Sequence, residues 1–246
     1  MARSSAMTKP RLLLSWSSGK DSAWALHTLR QSRRYDIVGL VTTVNESFNR
    51  VAMHGVRAEL LAAQADAAGL PLWPVPLPHP CPNDEYETRM RALIERAVAE
   101  GVTHMAFGDL FLPDVRAYRE RQLAGTGITP VFPLWGRDTA QLARAMLAAG
   151  LRAILTCVDP KRLPAALAGR AFDERLLAEL PAGADCCGEN GEFHTFCHAG
   201  PMFARPIGVK TGPVVERDGF VFADVLPAEE PGERGGGGAA GGLMGG

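Results

Sequence analysis

Apolar residues along the chain follow two alternating spacings. Short apolar or β-branched runs predict strands, and stretches with apolar residues three or four apart predict helices. The clearest helix lies near residues 84–100, with Asn83 as its expected N-cap and Gly101 just beyond its end. One face of this helix carries Tyr86, Met90, Leu93, Ile94, Ala97 and Val98, which predicts that this face is buried.

Strands and helices alternate up to residue 158. This alternation predicts an α/β fold in which helices cover both faces of a parallel sheet. Ligands of such sheets bind beyond the carboxyl ends of the strands. The predicted strands are Arg11–Trp16, Ile37–Val44, Leu72–Pro76, His104–Gly108, Pro130–Phe132 and Ala153–Val158, and the predicted helices lie near 22–33, 56–68, 84–100, 115–124 and 138–149.

The pattern changes after about residue 160. Two short helices are expected at 160–169 and 173–180, followed by a polar loop from Asp185 to His198. Asp218-Gly219 is a strong hairpin turn signal between strands Val214–Arg217 and Phe220–Ala223. The predicted organisation is a flexible N-terminus at 1–9, a three-layer α/β domain at 10–135, a smaller α+β domain at 136–227 and a disordered Gly-rich tail at 228–246.

Composition excludes several classes of protein. The net charge is −1 and 22% of residues are charged, which argues against a chain that coats nucleic acid or an anionic membrane. The apolar run Leu12–Leu14 is too short for a signal peptide or a membrane span. Five Cys in 246 residues do not form a disulfide framework, so we expect a reduced, cytoplasmic protein.

A small-residue turn follows the first predicted strand and opens the first helix. It reads Ser17-Ser18-Gly19-Lys20-Asp21-Ser22. Backbone N–H groups and a helix N-terminus that point at one spot favour a phosphate, and Lys20 adds a cation. Asp21 follows Lys20 where a Walker loop has Ser or Thr. A positive φ at Ser18 would cost energy that glycine avoids.

A second polar segment runs from Cys186 to His198. Its acids and imidazoles, Glu189, Glu192 and His194 among them, could position an amine, accept a proton or hold a cation. Glu192 and His194 are two residues apart, so an extended segment would place them on one face. Two alternatives stay open. The acids could cap backbone N–H groups of a polar turn, or Zn²⁺ could be bound by Cys186, Cys187, His194, Cys197 and His198, although no CxxC spacing is present.

Together these segments resemble the diphthine–ammonia ligase family, a branch of the adenine nucleotide α-hydrolase superfamily of N-type ATP pyrophosphatases. The resemblance covers residues 11–226. The matching blocks are Ser17–Ser22, Met53-His54-Gly55, Gly108-Asp109 with Arg116 to Glu120, Pro133-Leu134-Trp135, Gly169-Arg170 and Gly188–Thr195. Ser18 stands where the common family form has glycine. His194 stands where the diphthamide-making members have an acid, which resembles a bacterial-type branch.

The resemblance implies a Rossmann-like (HUP) ATP-binding domain and a smaller domain over the nucleotide cleft. It also implies an amide-forming ligase that adenylates a carboxylate, releases pyrophosphate and displaces AMP with ammonia or another amine. The expected cofactors are ATP and Mg²⁺. The acceptor is a small-molecule or protein carboxylate, and the reaction type transfers better than its identity. An RNA-modifying ATP pyrophosphatase and a nucleotide-binding module without turnover remain alternatives, and a homodimer is left open.

Residue roles follow from chemistry and resemblance together. The backbone amides of Ser18, Gly19 and Lys20 are expected to hold phosphates, and Val41 and Thr42 to accept the adenine. Asp21 and Asp109 are the expected Mg²⁺ ligands, with helix capping as the alternative for Asp21. The expected ATP contacts are Ser15, Ser17, Ser18, Gly19, Lys20, Asp21, Ser22, Val41, Thr42, His54, Gly108 and Asp109. The expected catalytic residues are Lys20, Asp21, Glu189, Glu192 and His194. An ordinary His194 pKa of ~6.5 predicts a rate that changes between about pH 6 and 8.

Overall fold

A computed structural model describes residues 8–46, 50–51 and 55–228. The predictions for His54, for residues 1–7 and for residues 229–246 lie outside these ranges. The strands of the N-terminal part are β1 Arg11–Ser15, β2 Asp36–Asn45, β3 Arg50–Val51, β4 Leu72–Leu77, β5 His104–Ala106 and β6 Thr129–Val131. Its helices are α1 Lys20–Ser32, α2 Ala58–Ala68, α3 Asn83–Ala99, α4 Pro113–Leu123 and α5 Thr139–Ala148.

A parallel sheet with the order β4-β2-β1-β5-β6 forms the N-terminal part, and β3 pairs antiparallel with the end of β2. The predicted α/β class is therefore confirmed. Strand β1 lies at the centre of this sheet. Leu12 and Leu14 contribute to one hydrophobic cluster and Leu13 to a second. A central strand that is covered on both faces reads as a continuous apolar run, as Leu12–Leu14 does.

Helix α3 buries the predicted face only in part. Met90, Leu93 and Ala97 are buried, whereas Val98 is 45% exposed. The prediction that Asn83 is the N-cap is wrong. Pro82 takes that position with φ −62° and ψ 155°, and no side chain caps the helix. The proline ring fixes φ near this value, so the helix begins directly after it.

An antiparallel sheet with the order β8-β7-β10-β9 forms the C-terminal part. Its elements are β7 Arg152–Val158, a 3₁₀ turn Ala165–Leu167, α6 Glu174–Glu179, β8 Phe193–Ala199, β9 Val209–Arg217 and β10 Phe220–Pro227. Asp218 and Gly219 both have positive φ, 53° and 79°, which confirms the predicted hairpin turn.

Three predictions for this part are wrong. Strand β7 belongs to the antiparallel sheet and does not continue the parallel one. Only the 3₁₀ turn forms within 160–169, and strand β8 lies inside the segment predicted as a loop. Strand β8 is buried at every position except His194 and His198. The strand is therefore largely covered on both faces, and no alternation of polar and apolar positions marks it.

The two sheets share one hydrophobic cluster. It includes Leu12 and Leu14 of β1, Leu26 of α1, and Phe193 and Phe196 of β8. The C-terminal sheet is thereby held against the carboxyl end of the parallel sheet. Within the ranges that the structure describes, no helix is long and apolar enough to cross a membrane.

Candidate active site

A cavity of about 240 Å³ lies at the carboxyl ends of β1 and β5, where the C-terminal sheet approaches. Its lining is mostly polar. The lining residues come from the Ser17–Ser22 turn, the end of β5, helix α4 and the 187–195 segment. The lining residues are Ser15, Ser17, Gly19, Lys20, Asp21, Ser22, Phe107, Gly108, Asp109, Arg119, Cys187, Gly188, Glu189, Gly191, Phe193, His194 and Thr195.

Residues Ser17–Ser22, hereafter the phosphate loop, have the turn geometry that the sequence predicts. Ser18 has φ 68° and is fully buried, so a serine adopts a conformation that favours glycine. Its Oγ has no hydrogen-bond partner and its side chain does not line the cavity. The Ser17 Oγ donates to the Ser22 Oγ at 3.2 Å, which places both hydroxyls together at the N-terminus of α1.

The back of the phosphate loop is held by a buried amide. Gln64 of α2 accepts a hydrogen bond from Trp16 Nε1 at 2.9 Å, and its Nε2 donates to the Ser18 and Cys197 carbonyls at 2.9 and 2.6 Å. The Cys197 N–H also donates to the Ser18 carbonyl at 2.9 Å. Strand β8 and helix α2 thus fix the loop from two sides.

Lys20 is 2% exposed, and its ammonium group is already paired within the protein. The Nζ donates to Asp21 Oδ2 at 2.8 Å and to the Cys187 carbonyl, and the Phe193 ring lies 5.1 Å away. Burial lowers the pKa of Lys20, but the charge and hydrogen bond of Asp21, together with Cys187 and Asp185, more than offset it, so the pKa is raised. The Lys20 backbone N–H donates to Thr195 Oγ1 at 3.1 Å. Lys20 therefore stays charged, with part of its charge compensated by Asp21.

Gly108 and Asp109 follow β5 and face the phosphate loop. A Cβ at Gly108 would lie 3.0 Å from the Ser22 backbone nitrogen, so only glycine lets the end of β5 approach α1 this closely. The Asp109 Oδ2 and the Asp21 Oδ1 are buried without a hydrogen-bond partner. Burial raises the pKa of both carboxyl groups. Asp21 lies in the first turn of α1, where a negative charge is favourable, so its helix-capping role stays an alternative to metal binding.

Glu189 connects the C-terminal segment to the end of β5. Its Oε1 accepts a hydrogen bond from the Leu110 N–H at 2.7 Å. Burial raises the pKa of Glu189 to about 7, against the opposing effect of this N–H, and the Asp21 and Asp109 carboxylates add to the increase. Glu189 is therefore a carboxyl group that gains and loses a proton near neutral pH.

The structure separates Glu192 from His194. His194 lines the cavity, whereas Glu192 does not. Glu192 is 2% exposed, and its Oε1 accepts hydrogen bonds from the Asp185 N–H and the Asn190 amide, both at 3.1 Å. It holds the 185–192 loop, as the polar-turn alternative predicts. The expectation of one shared face fails because β8 begins only at Phe193.

The pH range predicted from His194 is also wrong. Burial lowers the pKa of His194 to about 4, and the nearby Lys20 charge adds to the decrease. The imidazole is therefore neutral between pH 6 and 8, and it can accept or donate a hydrogen bond there but does not change its charge.

Val41 and Thr42 are not free to accept an adenine. The Val41 carbonyl accepts from the Trp16 N–H at 2.7 Å, and the Thr42 Oγ1 donates to the Trp16 carbonyl at 2.7 Å. Both residues are buried and neither lines the cavity. The prediction fails because β2 continues to Asn45, so these residues lie inside the sheet and not at its edge.

Several site residues are missing from the sequence predictions. Arg119, Phe107 and Thr195 line the cavity, and Gln64 supports it from behind. Arg119 lies within the 116–120 block and Thr195 ends the 188–195 block, so these blocks pointed to both. Gln64 is an internal residue of an amphipathic helix, and no pattern in the sequence distinguishes it.

The cysteines do not form a metal centre with their neighbours. No group of three or more His, Cys, Asp or Glu that could hold a metal ion occurs among residues 8–46, 50–51 and 55–228. Burial also raises the pKa of the Cys186, Cys187 and Cys197 thiols.

Comparison with known proteins agrees with this architecture. Residues 11–128 match the family model of the diphthamide synthase N-terminal domain, and residues 138–222 match that of the C-terminal domain. The chain is 30% identical over 176 residues to a diphthine–ammonia ligase of Danio rerio, which covers 65% of this chain and 69% of that protein. The chain belongs to the diphthine–ammonia ligase family. The comparisons do not favour the RNA-modifying alternative.

Other family members match over a shorter part of their length. The Homo sapiens and Rattus norvegicus diphthine–ammonia ligases are 29% and 27% identical over 150 residues, which is 59% of this chain. The chain spans 56% of the length of these two relatives.

Proposed function

We propose that this protein is an ATP-dependent ligase that adenylates a carboxylate and couples it to ammonia, with release of pyrophosphate and then AMP. The observation that carries the proposal is one cavity shared by the phosphate loop, Asp109, Glu189 and His194. A phosphate-binding turn and a carboxyl group that titrates near pH 7 are the parts that adenylation and amine attack require. We assign ATP binding to residues 10–135 and amine handling to residues 136–227.

The phosphate loop is assigned to the β- and γ-phosphates. The N-terminus of α1 offers backbone N–H groups and a partial positive charge. Ser17 and Ser22 add hydroxyls, and Lys20 supplies the charge that stabilises departing pyrophosphate. In this structure the Lys20 N–H donates to Thr195 Oγ1 and the Gly19 N–H donates to Ser17 Oγ at 3.4 Å, so two of the three backbone donors expected for phosphate are bound within the protein.

Asp21 and Asp109 fit a magnesium ion that accompanies ATP. Each has one buried carboxylate oxygen without a hydrogen-bond partner, and Mg²⁺ is commonly held by one or two carboxylates together with phosphate oxygens. When bound, the ion neutralises phosphate charge during adenylation. The two residues otherwise keep their carboxylates at the edge of the sheet, beside the phosphate loop.

Glu189 is assigned as the base for the amine. Ammonium carries the proton at neutral pH, so a carboxylate must remove it before nitrogen can attack the acyl-adenylate. A base with a pKa of about 7 takes that proton at neutral pH. Neutral His194 lines the same cavity as Glu189 and is assigned to orient the ammonium as a hydrogen-bond acceptor. Nitrogen then replaces AMP on the acyl carbon.

The acceptor class follows from the reaction and not from the name of the relatives. Those relatives are named for diphthine, and the block Gly188–Thr195 of this chain reads GENGEFHT, with His194 near its end. We therefore assign a carboxylate acceptor, in a small molecule or a protein side chain. The test is incubation with ATP, Mg²⁺, ¹⁵N-ammonium and a cell extract. The proposal predicts a ¹⁵N-labelled amide that appears only when AMP appears, and AMP without any labelled product would contradict it.

A further inference from the structure

Helix α4 places three arginines near one another in sequence but in different surroundings. Arg116 pairs with Glu120 at 2.8 Å and stacks on Phe132 and Trp135. Arg121 is exposed. Arg119 alone of the three lines the cavity. A helix that follows the end of β5 therefore directs one guanidinium group toward the site.

The guanidinium group of Arg119 is held loosely. Its Nε lies 3.6 Å from Asp109 Oδ2, which is longer than a hydrogen bond. That Nε and the Asp109 Oδ2 are both buried without a hydrogen-bond partner. The Phe107 ring lies 5.1 Å from the guanidinium carbon and supports it from one side. Buried polar atoms without partners are costly, so this pair is arranged for a ligand that satisfies both members.

The charges of the cavity indicate which ligand Arg119 meets. Asp21, Asp109 and Glu189 supply negative charge, and Lys20 and Arg119 supply positive charge. Lys20 is already bound to Asp21 and the Cys187 carbonyl. Arg119 also lies close to a carboxylate, that of Asp109, but makes no hydrogen bond to it. Its Nε therefore remains available to a polyphosphate oxygen, and its charge adds to that of Lys20.

We propose that Arg119 binds the phosphate chain of the nucleotide, donating to a non-bridging phosphate oxygen while Asp109 turns its free oxygen to the accompanying cation. This inference rests on the proposed ATP-dependent function. A planar guanidinium group matches phosphate geometry with two parallel donors, which a lysine in its place would not offer.

The test compares Arg119→Gln with the matched control Arg121→Gln, using titration calorimetry with ATP and with adenosine in the presence of Mg²⁺. Arg119→Gln is expected to weaken ATP binding about ten- to hundred-fold, as the loss of a charge-assisted hydrogen bond does. Adenosine binding and the melting temperature stay near the wild-type values, and Arg121→Gln binds ATP as the wild type does. If Arg119→Gln does not fold, Arg119→Lys keeps a cation beside Asp109, and it too must bind ATP more weakly than wild type.

Two outcomes would overturn the assignment. One is ATP affinity of Arg119→Gln within twofold of the wild type, even if acceptor turnover falls, because Arg119 would then serve the acceptor carboxylate. The other is an equal loss of ATP and adenosine affinity, which marks general damage. A wild-type protein that binds no ATP would instead refute the proposed function, so the two failures are distinguishable.

Discussion

Replacing Gln64 by leucine tests how the phosphate loop is held in place. The side chain is fully buried, and its amide joins Trp16, the Ser18 carbonyl and the Cys197 carbonyl. Leucine has a similar volume but no polar atom. The Trp16 Nε1 loses the partner that it has in this structure, while the Ser18 carbonyl keeps its bond from the Cys197 N–H.

The expected cost can be worked out from these contacts. An orphaned buried N–H costs about 1–3 kcal/mol, and each lost hydrogen bond to a carbonyl costs about 0.5–1.5 kcal/mol. The free energy of unfolding should therefore fall by about 3 kcal/mol. For a domain of this size that corresponds to a drop of roughly 6–12 °C in melting temperature. ATP affinity should fall as well, because the loop loses its support from behind.

Urea unfolding and thermal melting of Gln64→Leu measure this cost. Gln141→Leu is the matched control, since Gln141 is exposed on α5 and its bond to Asp138 comes from the backbone N–H, which leucine keeps. The control should change stability by less than about 0.5 kcal/mol. A Gln64→Leu protein within that same limit would refute the view that this amide holds the loop.

Three further predictions concern single residues. Ser18→Gly should raise the free energy of unfolding by about 1 kcal/mol, because it relieves the strain of φ 68° and removes an unpaired buried hydroxyl. Thermal melting measures this gain, with Asp218→Gly, at an exposed residue with φ 53°, as the control. An unchanged melting temperature of Ser18→Gly would count against backbone strain. The rate of amide formation should rise as pH passes about 7, where Glu189 becomes the carboxylate base. Glu189→Gln should lower this rate and flatten its dependence on pH. If the variant keeps the wild-type midpoint of the pH–rate profile, another group is responsible for the titration. Because folding raises this pKa, Glu189 destabilises the folded state as pH rises from 4.5 toward about 7, so Glu189→Gln should melt higher than wild type at pH 8. Glu192→Ala should lower the free energy of unfolding by about 1–3 kcal/mol, because the hydrogen bonds from Asp185 and Asn190 are lost. ATP affinity should fall with the stability. A stable variant that binds ATP but makes no amide would show a catalytic role instead.

The sequence pattern correctly predicted strand β1 and the loop that follows it, because both depend on residues that are adjacent in the chain. The run Leu12–Leu14 and the small residues after it place the phosphate loop at the end of a buried central strand. Strand β8 was missed because no alternation of polar and apolar positions marks it, and its pairing with β7 is a contact that only the tertiary structure creates. The adenine prediction failed at Val41 for a related reason, since its carbonyl is bound by the Trp16 N–H, a contact that the local sequence does not show.

The parts of the site that lie within one short segment of the chain were predictable from the sequence. The contacts between side chains that are distant in sequence were not. Gly108 and Asp109 were expected at the sheet edge, and they line the cavity. The raised pKa of Glu189 and the lowered pKa of His194 depend on burial next to groups from the other half of the chain. The role of Gln64 in supporting the loop is evident only from its three hydrogen bonds in the structure.

The most direct test of the central claim is the identity of the nucleotide product. Protein supplied with α-labelled ATP, Mg²⁺, ammonium and a cell extract should form AMP and pyrophosphate, which chromatography separates from ADP. Lys20→Ala should remove about 2–4 kcal/mol of transition-state stabilisation and lower the rate of AMP formation accordingly. Lys161→Ala, at an exposed position, should leave this rate unchanged. ADP and phosphate as the main products, or an unchanged rate in Lys20→Ala, would contradict the adenylating ligase.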